Sequence, residues 1–403
     1  MKLSVIGLGK LGAPMVACFA SKGFDVIGVD YDQNKVRAIN GGQHPPVVEP
    51  GLQELLVVNT PRIVASVDIE DAVLRTDITF VVVATPSQPD GKFSLEYILP
   101  VCEKIGKALK EKNSFHTVVV TSTVMPGACD GPIKKALEKA SGLKCGENFG
   151  LCYNPEFIAL GSVIKDFLNP DFVLLGAEDP LSECRVRSVY SAICAAPVKT
   201  MSRLNAEIAK LSLNSYITAK ISFANMIARI CERLPGADAD VVTEAIGTDT
   251  RIGRKYLKGA VSYGGPCFPR DNRALAALAD DLGTSSELPK TVDRFNRFQV
   301  QEIANLIENT TKGPVAVLGM PYKPGTLITE ESFGRLLLRE LKDRRIDASE
   351  FISDYTSVVV LALPGVLIIP EFIQKRIVID CWRAYPELKD IASKYISLGQ
   401  CVV

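Results

Sequence analysis

The chain has 403 residues, more than one hydrophobic core usually serves, so two or three domains are predicted. Hydrophobic residues make up 47% and charged residues 23% of the sequence, which argues against extensive disorder. The 46 basic residues balance 46 acidic ones, so no overall charge favours nucleic acid or an anionic membrane as a partner.

The first predicted elements form a β-α-β unit with a glycine-rich turn. Lys2 to Ile6 is a short apolar strand, and Gly7-Leu8-Gly9-Lys10-Leu11-Gly12 follows it before a helix that begins near Pro14. A second strand, Asp25 to Val29, ends at Asp30. This order is typical of dinucleotide binding, with the phosphates at the helix N-terminus. Asp30 would bind a ribose 2′-hydroxyl and repel a 2′-phosphate, so NAD is predicted rather than NADP.

Three further predicted strands run into polar residues. Thr79 to Ala84 leads to Thr85, Thr117 to Thr121 leads to Ser122-Thr123, and Phe149 to Tyr153 leads to Asn154-Pro155-Glu156-Phe157. Ligands bind at the carboxyl ends of the strands in open α/β sheets. The pattern therefore predicts a doubly wound, Rossmann-like domain, with Glu156 as a candidate base.

A long helix follows this domain. Arg203 to Arg233 contains neither Gly nor Pro and has apolar residues at spacings of three and four. One helix of about 45 Å is predicted, long enough to link domains and to form a dimer core. Lys210 and Asn214 are one turn apart and share a face of it. Taken alone, they would be interpreted as a solvated polar pair.

The most unusual segment is Tyr263-Gly264-Gly265-Pro266-Cys267-Phe268-Pro269-Arg270-Asp271. Its glycines and prolines predict a tight loop around one thiol, with Arg270 and Asp271 beside it. Cationic neighbours lower a cysteine's pKa from about 8.5 and make the thiolate nucleophilic near neutrality. Cys267 is thus a candidate nucleophile.

After Phe298 the pattern returns to alternating strands and helices. Strands are predicted at Val315 to Gly319, Ser357 to Ala362 and Arg376 to Asp380, and a helix at Phe333 to Leu341. Between Glu340 and Ser357 no clear strand that ends in Tyr-Asp-Pro is found, so this smaller α/β domain is expected to be abbreviated. The predicted domains are 1–199 (Rossmann-like), 200–298 (central, long helix) and 299–403 (smaller, C-terminal).

The eleven cysteines are odd in number and scattered without a Cys-x-x-Cys pair, and there are only two histidines. These counts argue against a disulfide framework, a bound metal and Ser-His-Asp chemistry. Gly7, Gly9 and Pro14 interrupt the apolar N-terminus, and the run from Ser357 to Pro370 is too short to cross a bilayer. A soluble, cytoplasmic protein is predicted.

From end to end the sequence resembles the UDP-glucose 6-dehydrogenase and nucleotide-sugar 6-dehydrogenase family. The matching motifs are Gly7-Leu8-Gly9-Lys10-Leu11-Gly12, Glu49-Pro50-Gly51-Leu52, Ser122-Thr123-Val124-Met125-Pro126-Gly127, Asn154-Pro155-Glu156-Phe157, Lys210 with Asn214, Gly264-Gly265-Pro266-Cys267-Phe268-Pro269-Arg270-Asp271 and Tyr322-Lys323-Pro324-Gly325-Thr326. The cysteine loop is highly specific and the glycine fingerprint is not. Their shared order argues against coincidence.

The resemblance implies oxidation of a nucleotide sugar's C6 alcohol, through an aldehyde, to a carboxylate, with reduction of two NAD⁺. The Cys267 thiolate would add to the aldehyde, giving a thiohemiacetal and then a thioester that water hydrolyses. Glu156 would be the hydrolytic base or its partner. Lys210 and Asn214 would stabilise negative charge on the substrate oxygen, where one donor is typically worth about 10²–10³ in rate.

The resemblance implies further site residues. Thr123 and Asp271 would hold the catalytic water, and Arg251 would reach the neighbouring subunit's sugar site, which implies a homodimer. Lys323 and Arg383 would contact the nucleotide diphosphate and the third domain. The implied cofactor-binding residues are Gly7, Gly9, Lys10, Leu11, Gly12, Asp30, Lys35, Thr85, Thr123 and Arg270. The implied substrate-binding residues are Glu156, Phe157, Lys210, Asn214, Arg251, Tyr256, Leu257, Tyr263, Gly264, Phe268, Tyr322, Lys323 and Arg383.

Three positions depart from the family's usual pattern. Arg270 stands where lysine is usual, Leu160 replaces a frequent glutamate, and Glu330 occupies the position of an arginine that helps to close the cofactor site. Glu330 and the short third domain motivate one alternative, an inactive nucleotide-sugar-binding paralogue. A two-electron β-hydroxyacid dehydrogenase, which shares the NAD fingerprint and a Lys-x-x-x-Asn helix but does not need the cysteine loop, is another.

UDP-glucose is the first predicted substrate. Asn154-Pro155-Glu156-Phe157 and Asp166-Phe167-Leu168-Asn169-Pro170 resemble that branch of the family most. UDP-N-acetylhexosamines and GDP-mannose remain open, because one or two contacts decide between such sugars.

Overall fold

The computed structural model describes residues 1–45 and 49–401, which form two compact units, Met1–Lys210 and Leu211–Val403. Each contains a sheet with helices packed on it, so the predicted α/β class is confirmed. The predicted three-domain boundaries, at 199 and 298, stay predictions. Among the described residues, no helix has the length and apolar character that crossing a membrane requires.

The described residues of the first unit form eight strands and several helices. The strands are β1 (Lys2–Ile6), β2 (Asp25–Val29), β3 (Ile63–Ser66), β4 (Ile78–Val81), β5 (Thr117–Val120), β6 (Gly150–Tyr153), β7 (Val173–Ala177) and β8 (Val198–Met201). The helices are α1 (Gly12–Ser21), α2 (Gln33–Asn40), α3 (Leu52–Asn59), α4 (Ile69–Arg75), α5 (Ile98–Glu111), α6 (Lys134–Ser141), α7 (Val163–Leu168) and α8 (Pro180–Ile193). The sheet order is β3-β2-β1-β4-β5-β6-β7-β8, in which β6 and β7 pair antiparallel and the other neighbouring strands pair parallel.

Apolar layers cover both faces of this sheet. Along β1, Leu3 and Val5 pack into one cluster with Phe19, and Ile6 packs into the other cluster with Val81. Successive side chains of a strand point to opposite faces, and a parallel sheet buried on both faces needs apolar residues at nearly every position. The sheet is therefore a rigid support for the loops that follow its strands.

Aspartates fix the start of several helices in this unit. The Asp32, Asp68 and Asp179 carboxylates each accept a hydrogen bond from a backbone N–H in the first turn of α2, α4 and α8. Such caps satisfy N–H groups that the helix itself leaves without an acceptor.

The predicted long helix is confirmed as α9, which spans Arg203–Cys231. It ends two residues earlier than the sequence pattern indicated.

In the part of the second unit that the structure describes, there are a five-stranded sheet and four further α-helices. The helices are α10 (Ala239–Gly247), α11 (Phe268–Asp281), α12 (Glu287–Thr310) and α13 (Phe333–Asp343). The strands are β9 (Val315–Leu318), β10 (Ala348–Ser349), β11 (Val358–Leu361), β12 (Ile377–Asp380) and β13 (Lys394–Ser397), in the all-parallel order β10-β9-β11-β12-β13. Along β11, Val358 and Val360 pack on one face and Val359 and Leu361 on the other.

One short strand lies between Glu340 and Ser357, where the sequence contains no Tyr-Asp-Pro. β10 lies there and pairs Ala348 with Val315 and Ser349 with Ala316. A two-residue strand is too short to show a side-chain period, and its place is set by backbone pairing with β9.

Candidate active site and cofactor pocket

The glycine turn between β1 and α1 lies at the carboxyl end of the first sheet. Gly7 has a φ of +105°, and a Cβ there would lie 2.3 Å from the Val82 carbonyl oxygen. A Cβ on Gly12 would lie 1.7 Å from the Gly7 oxygen, whereas one on Gly9 would meet no described atom within 4 Å. Gly7 and Gly12 are thus required by close backbone packing, and Gly9 leaves space for a ligand. No described side chain caps α1 at Leu11, so its first N–H groups suit a pyrophosphate.

Asp30 lies directly after β2 with its side chain nearly buried. Its carboxylate accepts hydrogen bonds from the Leu8 N–H at 2.8 Å, the Asp32 N–H at 3.0 Å and Lys35 Nζ at 3.0 Å. Because a carboxylate has about four acceptor sites, this arrangement fixes Asp30 and leaves room for a ribose hydroxyl. The structure therefore brings the predicted Asp30 and Lys35 together.

A cavity of about 460 Å³ opens beside this carboxylate. Its lining combines the two glycines, the acid and the lysine with apolar and aromatic side chains, namely Ile6, Gly7, Gly9, Val29, Asp30, Tyr31, Lys35, Val67, Ile69, Val82, Val83, Ala84, Tyr97, Pro100, Val101 and Lys104. An apolar wall with a few fixed polar groups suits an adenine and its ribose, so the residues fit NAD. Sequence reasoning missed most of this wall. Val67 could have been found, because it directly follows β3.

Two predicted threonines meet at the next strand ends. Thr85 Oγ1 donates to the Thr123 carbonyl oxygen at 2.7 Å, which joins the segments that follow β4 and β5. Ser122 Oγ donates to the Val83 oxygen at 2.6 Å in the same place. Lys10 is exposed on the glycine turn, next to the half-buried Leu11.

Glu156 follows β6 in a half-buried position. The Tyr190 hydroxyl of α8 lies 2.6 Å from Glu156 Oε1, and Lys210 Nζ donates to the Glu156 backbone oxygen at 2.7 Å. Lys210 Nζ also lies 4.6 Å from the centre of the Phe157 ring. Burial raises the pKa of Glu156 to about 7, against the opposing effects of the Tyr190 hydroxyl and the Lys210 charge. The carboxyl can therefore exchange a proton near neutral pH.

The loop after Phe157 is held by Glu49, from the second matching motif. Its carboxylate accepts hydrogen bonds from the Gly161 N–H at 3.1 Å and the Ile164 N–H at 3.3 Å. Leu160, which replaces a frequent glutamate of the family, lies half-buried in this loop. Glu49 thus shapes the segment that connects Glu156 to α7.

In the second unit, Cys267 is the residue that precedes α11, and it is exposed. Its carbonyl oxygen accepts from the Asp271 N–H at 2.8 Å, as in a first helical turn. The helix dipole and the N–H groups of that turn favour an anion here. Sequence reasoning had found the thiol and its cationic neighbour but missed the helix start. Pro269, a residue favoured in first turns, was the signal.

Asn214 and Asp271 are joined in the second unit. Asn214 Nδ2 donates to Asp271 Oδ2 at 2.6 Å, and both side chains are buried. Arg270 Nε lies 3.6 Å from Asp271 Oδ1. The structure thus brings three predicted residues to the first turn of the helix that follows Cys267.

The cysteine loop packs closely against the segment 322–332. A Cβ on Gly264 would lie 2.2 Å from the Glu331 carbonyl oxygen, and one on Gly265 would lie 2.6 Å from Tyr322 Cδ2. The Gly265 N–H donates to the Glu330 oxygen at 3.0 Å. Glu330 therefore contributes a backbone acceptor to this loop. The half-buried Lys323 adjoins Tyr322.

Aromatic side chains surround the loop within the same unit. Phe268 packs edge-on against Tyr256 and Tyr263, with ring centres 6.1 and 6.4 Å apart. Tyr263 and Leu257 are buried. These four predicted substrate residues are therefore neighbours.

Two predicted arginines lie in very different surroundings. The Arg251 side chain is exposed and hydrogen-bonded to Asp249. Arg383 is buried, and its guanidinium donates to both Asp240 carboxylate oxygens at 2.8 Å, to the Gly259 oxygen at 2.6 Å and to the Leu398 oxygen. Arg383 thus joins the end of β12 to α10, and a substrate contact for it stays a prediction.

Together these features define an NAD-binding Rossmann-like unit and a second unit with a cysteine before a helix. The sequence model for the NAD binding domain of the UDP-glucose/GDP-mannose dehydrogenase family matches residues 1–194, and that for the family's central domain matches residues 204–298. The chain belongs to this family of NAD-dependent nucleotide-sugar 6-dehydrogenases.

Individual relatives cover most of the chain. GDP-mannose 6-dehydrogenase of Pseudomonas syringae pv. tomato is 35% identical over 358 residues, 88% of this chain and 81% of that protein. UDP-glucose 6-dehydrogenase AglM of Haloferax volcanii is 36% identical over 355 residues, 86% and 82% of the two proteins. A solved UDP-glucose dehydrogenase from Pyrobaculum islandicum superposes with a TM-score of 0.89 at 31% identity, over 99% of this chain and 98% of that one.

Proposed function

We propose that this protein oxidises UDP-glucose to UDP-glucuronate in a four-electron reaction. One C6 alcohol, two NAD⁺ and one water would give one carboxylate, two NADH and three protons. The observation that carries the proposal is the exposed Cys267 thiol at the start of α11, one turn before Asp271 with its bound Asn214 amide. A two-electron alcohol dehydrogenase has no need of a thiol at such a position.

Cys267 acts as the nucleophile in this reaction. The glycine turn and Asp30 would hold NAD⁺, which would supply the hydride acceptor for each of the two oxidations. After the first, the thiolate adds to the aldehyde carbon, and the thiohemiacetal becomes a thioester in the second. Water then breaks the C–S bond, which releases the carboxylate and returns the thiol.

The other predicted residues support this chemistry. Lys210 and Asn214 donate hydrogen bonds to the substrate oxygen as negative charge develops on it. Glu156, whose burial raises its pKa to about 7, is suited to exchange protons with the hydrolytic water at neutral pH. Thr123 and Asp271 hold that water. Asp30, whose carboxylate is fixed by the glycine turn, selects NAD by its contact with the ribose.

The choice of UDP-glucose has support along the whole chain. The superposition with the Pyrobaculum islandicum UDP-glucose dehydrogenase includes the C-terminal sheet, because it covers 99% of this chain. GDP-mannose is the second candidate, since the Pseudomonas syringae GDP-mannose 6-dehydrogenase is 35% identical over 88% of the chain. UDP-glucose and GDP-mannose differ both in the base and at the sugar, so one assay separates them.

The experiment measures the number of NADH molecules formed per molecule of sugar nucleotide. Purified protein and NAD⁺ are incubated with UDP-glucose or with GDP-mannose. Two NADH and a uronic acid from UDP-glucose are expected. Two NADH from GDP-mannose and none from UDP-glucose would make GDP-mannose the substrate and leave the proposed chemistry unchanged. One NADH would favour the two-electron alternative, and binding without turnover would favour the inactive paralogue.

The matched variant for this assay is Cys267→Ser. A serine alkoxide would form an ester that resists hydrolysis, so net acid formation is expected to be lost. Cys184→Ser, at another exposed cysteine, is the control and should keep the wild-type yield. Steady formation of the uronic acid by Cys267→Ser would contradict the thioester.

We also propose a homodimer that uses the second unit's helices. Within that unit, Met226, Ile230, Leu234 and Phe298 are exposed and line one groove between α9 and α12. An apolar groove of this kind is typical of a protein interface. Sedimentation equilibrium is expected to give twice the chain mass of 43.7 kDa, and a monomer at micromolar concentration would contradict it.

The eleven cysteines support a reducing, cytoplasmic location. Among the described residues, which include all eleven, no disulfide is formed. Cytosolic thiols are normally kept reduced.

A further inference from the structure

Asn154, Tyr190 and Glu156 form a chain of hydrogen-bonding groups in the first unit. The Tyr190 hydroxyl lies 2.6 Å from Asn154 Oδ1 and 2.6 Å from Glu156 Oε1. Tyr190 is buried near the end of α8, outside every motif that identified the site. Both partners of its hydroxyl are oxygen atoms, so the positions of the hydrogens decide which contacts are favourable.

The orientation of the Asn154 amide is fixed by the sheet. Its Nδ2 donates to the Leu174 carbonyl oxygen of β7 at 2.9 Å, and its backbone N–H donates to the Val120 oxygen at 2.8 Å. A carbonyl oxygen can only accept, so the amide NH₂ faces Leu174. Asn154 Oδ1 therefore faces Tyr190 and can only accept.

A tyrosine hydroxyl carries a single hydrogen for these two contacts. If Glu156 is ionised, that hydrogen can serve either the carboxylate or Asn154, and the other pair of oxygens lies 2.6 Å apart with no hydrogen between them. If Glu156 is protonated, it donates to the Tyr190 oxygen while Tyr190 donates to Asn154. Only the protonated acid satisfies both contacts.

We propose that Asn154 and Tyr190 are positioning residues that hold a proton on Glu156, because Asn154 takes the tyrosine hydrogen and leaves the tyrosine oxygen as the acceptor for the acid. In the resting site Glu156 is therefore an acid, and it becomes a base only after its proton has left. The expected change in turnover rests on the proposed function of Glu156. The assignment of the proton to Glu156 does not.

The surroundings of Glu156 agree with this assignment. Burial raises its pKa to about 7 although a hydrogen bond donated by the Tyr190 hydroxyl and the Lys210 charge from α9 both lower it. Cys18 faces it from α1, and burial raises the pKa of that thiol to about 12, so it stays neutral. Burial and Glu156 also raise the pKa of Tyr190, which lies near Cys194 and keeps its hydrogen.

The first experiment follows the carbonyl stretch of protonated Glu156 by infrared titration of the unliganded full chain. The band is assigned by its absence from Glu156→Gln. In Asn154→Leu the tyrosine hydrogen is released to the carboxylate, so the midpoint is expected to fall by roughly half to one pH unit. A midpoint that stays in place or rises would overturn the proposal.

The second experiment uses Tyr190→Phe, which keeps the buried ring and removes only the hydroxyl. With the sugar nucleotide that the wild type oxidises, kcat is expected to fall about tenfold or more with KM within about twofold, and the acid limb of the pH profile to move. Ser188→Ala, which removes an exposed hydroxyl from the same helix, should match the wild type. Wild-type kcat and pH profile in Tyr190→Phe would overturn the proposal.

These measurements separate two failures. If the wild type oxidises no sugar nucleotide, the proposed function fails, and the infrared midpoints still decide where the proton is held. If Asn154→Leu does not fold, the Tyr190→Phe titration decides. A Glu156 midpoint that falls would then support the proposal, because the acceptor for its proton has been removed, and one that stays in place or rises would reject it.

Discussion

Asp30 and Asp380 both lie at the carboxyl end of a parallel strand, β2 in the first sheet and β12 in the second, and each carboxylate accepts three hydrogen bonds from described residues. Asp30 accepts from Leu8, Asp32 and Lys35 and lines the cavity beside the glycine turn. Asp380 is fully buried and accepts from the backbone N–H groups of residues 382 and 385 and from a tyrosine hydroxyl at position 395. An aspartate at a strand end thus borders a ligand cavity in the first unit, where glycines leave space. In the second unit such an aspartate supports the fold, because aromatic residues fill the space around it.

Of the variants that test this comparison, Asp380→Ala is expected to cause the largest loss of stability. It leaves one buried and one partly buried backbone N–H group and the partly buried Tyr395 hydroxyl without their acceptor, so the free energy of unfolding should fall by about 3–5 kcal/mol. Urea unfolding of the full chain measures this, and NAD affinity should change little in the folded protein. Asp390→Ala, at an exposed aspartate of the same unit, is the control. A loss below about 1 kcal/mol would mean that Asp380 is not a structural acceptor.

Glu156 is a third carboxyl beyond a strand end, and it is expected to show the next largest effect. Burial raises its pKa from 4.5 to about 7, so the folded state binds more protons than the unfolded state between these values. Stability from this group is present at low pH and lost as the pH rises through 7. Unfolding measured at pH 5 and pH 8 should therefore show wild type losing about 2–3 kcal/mol relative to Glu156→Gln. Identical pH dependence in the two proteins would contradict a protonated Glu156.

Asp30→Ala should separate binding from stability. Loss of a charged acceptor for the ribose is expected to raise the KM for NAD about tenfold or more and to reduce the preference over NADP. The free energy of unfolding should fall by less than in Asp380→Ala, because the Lys35 ammonium remains partly exposed to water. Asp25→Ala, at the exposed start of the same strand, is the matched control. An unchanged KM and an unchanged preference for NAD would remove Asp30 from the cofactor site.

The contrast between these acids explains how much the sequence could predict. Asp30 was recognisable because a glycine fingerprint precedes it, and the strands that carry such fingerprints are continuous apolar runs. Asp380 ends a strand that was also predicted, yet its hydroxyl donor lies fifteen residues further along and beyond a turn. Nothing local in the sequence indicates that contact, because it exists only once β13 pairs with β12.

The cysteine loop shows the same limit within a single motif. Its composition is enough to identify Cys267, Arg270 and Asp271 as candidate site residues. The reason for its two glycines lies elsewhere in the chain, since Gly264 approaches Glu331 and Gly265 approaches Tyr322. Tyr190 is the extreme case. It lies on an ordinary amphipathic helix, and its contact with Glu156 depends on how that helix packs on the sheet.

The smallest effect is expected from a variant that removes one hydrogen-bond donor to the buried Asp380. Tyr395→Phe removes the hydroxyl that donates to Asp380 at 2.6 Å but leaves the two N–H donors. The free energy of unfolding should therefore fall by about 1–2 kcal/mol. Burial and the Asp380 carboxylate both raise the pKa of Tyr395, which keeps this donor protonated. In an Asp380→Ala background the same change should cost almost nothing, because the hydroxyl has already lost its acceptor. Equal costs in both backgrounds would show that the Tyr395 hydroxyl acts independently of Asp380, and that this carboxylate is held by the N–H groups of its own turn.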